Sequence, residues 1–222
     1  MKKILKIILF LFVLLIIGLS IYYVKTIWFS HLGEFKNVGI DYRIIKHGDL
    51  IFRKGRSLVS QVVLLMDNDS PYSHVGIVYK DRDSIFVIHA VPGEEDADTD
   101  FVRMDYIDDF LDCTNNTGGS IYRFYDSINY KLPDSAASIA KSYFNEKIMF
   151  DPDFSMRSNN KLYCTELIWK AYKNAGIDLI ENKLDTASIP LGDGPFLYPS
   201  SLIKSKYLIK IYSFKLKPKG EL

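Results

Sequence analysis

The chain has 222 residues, enough for one domain with a substantial core. Its 48% hydrophobic and 14% aromatic content excludes a disordered chain. Twenty-eight Lys and Arg against 27 Asp and Glu leave a formal net charge of +1, which argues against broad electrostatic binding of nucleic acid.

The N-terminus differs in kind from the rest. Lys2, Lys3 and Lys6 precede an uncharged run from Ile7 to Val24. A run of about 18 apolar residues can just span a bilayer as a helix, and basic residues before it predict an N-terminus inside and the remainder outside. A cleaved signal peptide would need a shorter apolar core and a small-x-small site. Gly18-Leu19-Ser20 is a poor version of that site, and the run continues into Ile21, Tyr22 and Tyr23. An uncleaved signal anchor over residues 1–30 is the preferred expectation, with an exported domain over 31–222. No cysteine follows the run, so a lipoprotein anchor is not expected.

After a polar linker, "HGDLIFRKG" reads as a turn entering a short strand that ends at Gly55. "SLVSQVVLLM" has apolar residues at helical spacing and reads as a short amphipathic helix. The runs on either side of "KDRD" are rich in Val, Ile, Phe and Tyr and read as a β-hairpin closed by Pro92-Gly93. The acidic stretch "EEDADTDFVRMDYIDDFLD" lacks the spacing of a calcium loop. It reads as a solvated loop followed by a short helix, "MDYIDDFL". "SIYRFY" is a further strand, and "LPDSAASIAKSYFNEK" a helix with Pro133 near its first turn. "MFDPDFSMRSNN" is irregular, with Asn159 or Asn160 available as an N-cap for the helix in "LYCTELIWKAY", which Gly176 would end. A Gly/Pro-rich loop leads to a last alternating strand, "YLIKIYSFKLK". Mixed elements around a mainly antiparallel sheet make the class α+β.

There are two cysteines, Cys113 and Cys164. Cys164 can be a buried hydrophobe, half of a disulfide or a nucleophile, and export makes the bridge to Cys113 chemically possible. Centring the hairpin turn on Asp81 and Arg82 pairs His74 with His89, Gly76 with Val87 and Tyr79 with Ser84. Two histidines on one sheet face can act as a base and its orienting partner, or can merely pack and hydrogen-bond. A third metal ligand at a regular spacing is missing, and His31 and His47 lie upstream. On its helix Cys164 shares a face with Leu167, Ile168 and Ala171, so it is expected to point toward the sheet from the helix N-terminus. The positive end of the helix dipole and its free N–H groups favour a thiolate and can hold an oxyanion.

"HGDLIF", "SHVGIVY", "VIHA" and "LYCTEL", in that order, resemble the permuted papain-like amidases of the YaeF/YiiX type within the NlpC superfamily. Ordinary members place the cysteine first; here the histidines precede it, an order shared with the lecithin retinol acyltransferase group. The resemblance runs from about Lys46 to Tyr212 and implies a circularly permuted papain-like fold. It implies Cys164 as nucleophile, His74 as base and His89 as the residue orienting His74, with no cofactor. Asp49 and Gly76 match its motifs and read as structural, a turn and a close backbone approach. Glu166 falls about 200° around the helix from Cys164 and is not expected as a proton partner; Tyr163 is expected to border the site.

The implied activity is amide cleavage through a thioester acyl-enzyme, with cell-wall peptides as the expected substrate. An acyltransferase or lipase acting on lipid or N-acyl substrates is the alternative within enzymes. A tethered binding module, inactive or bridged through Cys113–Cys164, is the alternative outside them. The expected partners are the substrate and the membrane, and the sequence carries no signal for oligomeric state.

Overall fold

The computed structural model describes Lys6 and residues 10–22, 35–36, 40–92, 100–112, 116–125, 129–158, 160–189, 192–215 and 217–218. It divides into two compact units. One comprises residues 1–36 and 217–222, where residues 10–22 are helical and Phe35–Lys36 pairs antiparallel with Lys217–Pro218. Among the described residues no helix is long and apolar enough to cross a membrane. The expected span is therefore not met by its described part: residues 10–22 at 1.5 Å each reach about 20 Å, short of a hydrocarbon core of about 30 Å. Residues 7–9 and 23–24 of the run lie outside the described residues.

The second unit comprises residues 37–216. Its elements are β1 (Leu50–Gly55), α1 (Leu58–Met66), β2 (His74–Asp81), β3 (Ser84–Ala90), β4 (Val102–Tyr106), α2 (Ile107–Phe110), β5 (Asn116–Phe124), α3 (Leu132–Asn145), β6 (Met149–Phe150), β7 (Lys161–Leu162), α4 (Cys164–Asn174), β8 (Asp185–Ile189), β9 (Gly192–Phe196), α5 (Pro199–Ile203) and β10 (Leu208–Lys215). Six strands form one antiparallel sheet in the order β10-β5-β1-β2-β3-β4. The expected α+β class with a mainly antiparallel sheet is what forms.

Strand periodicity sorts side chains onto two faces. Phe52, Val75, Ile77, Ile88 and Ala90 join one apolar core with Ala136, Ala137 and Ala140 of α3 and Leu167, Ile168 and Ala171 of α4. Ile51, Val78, Val87 and Ile121 face the other way and pack with Ile107, Phe110 and Leu111. The small alanine stripe lets α3 lie close, and Leu167, Ile168 and Ala171 are the apolar stripe expected for α4. Gly176, at φ +114°, ends α4 as expected: its N–H donates to Lys173 O, and Ile177 N–H to Tyr172 O.

Two expectations shift. The residues VRMDY form edge strand β4 rather than loop and helix, and only Ile107–Phe110 is helical. The alternation of Val102, Met104 and Tyr106 with Arg103 and Asp105 is a strand period that the surrounding acidic residues obscure. The N-cap of α4 is Tyr163, not Asn159 or Asn160, because the chain forms β7 before the helix begins.

Asp49 follows Gly48, which sits at φ +80° in the turn before β1. It is 1% exposed and acts structurally, as the motif reading held. Its carboxylate accepts from Arg123 Nε and Nη2, each at 2.7 Å, and from the Lys46 N–H at 2.8 Å. Removing one partner of such a pair leaves a buried charge without its counter-ion, at about 3–5 kcal/mol. Arg123→Ala is therefore expected to lower unfolding free energy by roughly that amount in urea titration, discounted for the partial exposure of Arg123. A loss below about 1 kcal/mol would mean that water replaces the guanidinium.

Candidate active site

The hairpin register sets the site. Observed partners are Ile77 with Ile88, Val78 with Val87, Tyr79 with Phe86 and Asp81 with Ser84. The turn residues are Arg82 and Asp83, one place later than expected, with Arg82 at φ +52°. Moving the turn by one residue moves the pairing by two, so every side chain stays on its expected face. His74 and His89 thus share a face, as diagonal neighbours rather than direct partners, and Gly76 lies across from His89. A Cβ on Gly76 would come within 2.4 Å of Val87 Cγ1 and 3.2 Å of His89 Cβ. The missing side chain leaves the room through which the His89 ring reaches His74.

His74 Nε2 and His89 Nδ1 are 2.9 Å apart. His89 Nε2 is in turn 2.9 Å from Asp105 Oδ2 on the edge strand. Arg103 holds the same carboxylate, its Nη2 at 3.2 Å from Oδ2 and its Nε at 3.3 Å from Oδ1. Phe110 packs against both imidazoles, with centroid separations of 5.8 and 4.9 Å. Arg53, the cross-strand partner of His74, lies 4.6 Å over the Phe110 ring and donates from Nη1 to Phe110 O.

Cys164 is the first residue of α4 and carries a free thiol; Cys113 lies outside the described residues. The cysteine and the histidine approach from opposite faces of the sheet. Val75 points into the α4 core while His74 points toward Phe110. His74 is the first residue of its strand and Cys164 the first of its helix, and both line one cavity at the sheet's end. The cavity is about 400 Å³ and is mostly apolar. Tyr163 borders it as expected, its hydroxyl donating to Met156 Sδ and accepting from the Leu197 N–H.

The helix start is built to leave donors free. Tyr163 makes no side-chain cap, and the Thr165 hydroxyl donates to Leu197 O at 2.6 Å. Backbone N–H groups of Val75, Thr165 and Cys164 stabilise negative charge on the sulfur. Glu166 does not line the cavity; it is fully buried and pairs with Lys170 Nζ at 2.9 Å. Burial pushes its carboxyl up to about 7 against the pull of Lys170.

The thiol departs from expectation. Burial pushes Cys164 up to about 11, outweighing those N–H groups and the positive charge of Arg53. Burial, then the charges of Arg53 and His89, hold His74 well below the usual histidine value. Burial also lowers His89 to about 4 despite its bond to Asp105. At neutral pH Cys164 is therefore a thiol and His74 a neutral imidazole, not an ion pair.

Asp105, Arg53 and Phe110 join this site without having been singled out from sequence. The alternation around Asp105 was the readable signal. Arg53 and Phe110 carried none, since only the fold brings them to His74.

The family model for the permuted papain-like amidase enzymes, YaeF/YiiX, C92 family, matches residues 44–192. The chain belongs to this family. It is an amidase- and peptidase-type cysteine hydrolase by that membership. A crystal structure titled metalloprotein yiiX from Escherichia coli O157:H7 superposes with a TM-score of 0.61 at 22% identity, covering 75% of this chain and 96% of that one. That likeness concerns the fold. Among the described residues no group of three or more His, Cys, Asp and Glu side chains is arranged to hold a metal ion. No curated protein matches the chain.

The electrostatics predict the titration of Cys164. With Cys113 replaced by Ser, the rate of Cys164 alkylation by iodoacetamide is expected to rise with pH through a midpoint well above about 8.5, the value of an unperturbed thiol. A midpoint below that value would mean that the helix terminus and Arg53 outweigh burial.

Proposed function

We propose that this protein cleaves an amide bond through Cys164, His74 and His89, by way of a thioester. The observation carrying this reading is the cavity lined by both Cys164 and His74. His74 commits Nε2 to His89, leaving Nδ1 as the ring's remaining nitrogen. Nδ1 takes the thiol proton as the sulfur attacks the substrate carbonyl. Proton transfer accompanies attack, because burial disfavours either charge at rest. The tetrahedral oxyanion is held by N–H groups at the start of α4. Collapse breaks the C–N bond, and the leaving amine takes its proton from His74. His74 then draws a proton from water, which attacks the thioester, releases the acid and restores the thiol. His89 orients His74 in each step, the part of a third triad member.

The uncharged run behind Lys2, Lys3 and Lys6 supports a membrane tether with the hydrolase domain outside the cytoplasm. In that setting cell-wall peptides are the substrate class. A second reading, an acyl-lipid or N-acyl substrate, is favoured by the cavity wall. Val63, Phe150, Phe154, Phe196 and Leu197 line it, and Leu58, 72% exposed, stands among the lining residues.

The test uses the full chain with an acetyl-peptide p-nitroanilide and a decanoyl p-nitroanilide. Turnover of the first alone supports the peptide reading, and of the second alone the acyl reading. In either case Cys164→Ala is expected to reduce nitroaniline release by at least about 10³-fold, with an unchanged melting temperature. The wild type should show an acyl mass adduct on Cys164. Turnover retained in Cys164→Ala would sink the proposal.

A further inference from the structure

We propose that Asp105 is a positioning residue that sets the tautomers of both histidines, making His74 Nδ1 the free base. The inference rests on the cysteine-hydrolase reading above and extends it by one residue that neither the motifs nor the histidine pair identifies.

An ionised carboxylate can only accept hydrogen bonds. Asp105 Oδ2, 2.9 Å from His89 Nε2, therefore requires the His89 proton on Nε2. A neutral imidazole carries one ring proton, so His89 Nδ1 is left as an acceptor. His74 Nε2, 2.9 Å from that atom, must then be the donor. This places the His74 proton on Nε2 and leaves Nδ1 with a lone pair, the state a general base needs. Reversing the direction would put a proton on His74 Nδ1 and disable it. Two histidines hydrogen-bonded to each other have no directional preference of their own. The acceptor-only group at the end of the chain supplies it.

The end group is itself held. Arg103 contacts both carboxylate oxygens, at 3.2 and 3.3 Å. Burial works against the Asp105 charge, but the His89 hydrogen bond and the Arg103 guanidinium work for it, and the carboxyl titrates below its ordinary value. His89 also feels the charge of Arg53 from β1. Asp105 is about one-fifth exposed and His89 2%, so the chain runs from the protein surface to the buried base. Edge strand β4 thus contributes the anchor of the chain.

Asp105→Asn tests the idea in the full chain. Asparagine keeps the shape, carries no charge and can present either its carbonyl or its amide to His89. With ¹⁵N-histidine labelling and signals assigned through His31→Gln and His47→Gln, both site rings of the wild type should be protonated at Nε2 alone at pH 7. In Asp105→Asn the rings should populate both tautomers. The kcat for whichever p-nitroanilide the wild type hydrolyses should fall about 10–100-fold, with KM within twofold. An unchanged tautomer in the variant overturns the inference, as does an unchanged kcat. If the wild type hydrolyses neither anilide, the hydrolase reading fails instead, and the spectra still report whether Asp105 fixes the rings.

Discussion

An antiparallel sheet has a side-chain period of two, and the site depends on that number. Four adjacent strands place polar residues on the same face: Arg53 on β1, His74 on β2, His89 on β3, and Arg103 and Asp105 on β4. Around the histidines that face is apolar, with Phe110 packed on both rings. A slip of one residue between any two of these strands would send a member through to the alanine and leucine core under α3 and α4. The register is held on both sides by complete rows of buried apolar residues, so the polar row inherits a precision that its own few hydrogen bonds could not supply.

That precision has an electrostatic consequence. Burial keeps water away from His74 and His89 on this face and from Cys164 at the sheet's end, so the charged form of each is disfavoured. A free helix N-terminus lowers a thiol's pKa when it is exposed enough for the dipole to dominate. Here desolvation is larger. The thiol and the imidazole rest neutral, and in the proposed mechanism the donors around the sulfur act on the charge that develops during reaction rather than on a standing thiolate. Such donors cost no reorganisation at that moment, because α4, β2 and the Leu197 segment already hold them.

The remaining parts of the domain serve this arrangement at a distance. The Asp49–Arg123 pair joins the start of β1 to β5 and keeps the "HGDL" turn in place. Gly76 contributes by what it lacks, since a methyl group there would push β3 and the His89 ring away. Tyr163 ties the helix start to the irregular segment through Met156 and to the β9 end through Leu197. Glu166, two residues after Cys164 in the motif, turns instead to Lys170 and stays out of the cavity.

The sequence by itself determined the elements whose periodicity is strong: the hairpin, the alanine-rich α3, and α4 with its glycine stop. It determined that His74 and His89 share a face, because the parity of a hairpin survives an error of one residue in the turn. Motif order pointed to Cys164, His74 and His89 together. Tertiary structure alone decided that the cysteine and the histidine share a cavity, since they approach from opposite faces and both reach it only where a strand and a helix begin together. It also decided the membership of Arg53 and Phe110, which lie 21 positions before and 36 after His74 and have no local signature of chemistry. Asp105 stood between these cases: its alternating strand was written in the sequence, but an acidic neighbourhood read as solvated until the sheet edge gave it a partner. The same holds for the thiol, whose helix position favours ionisation locally while burial, a property of the whole fold, opposes it more strongly.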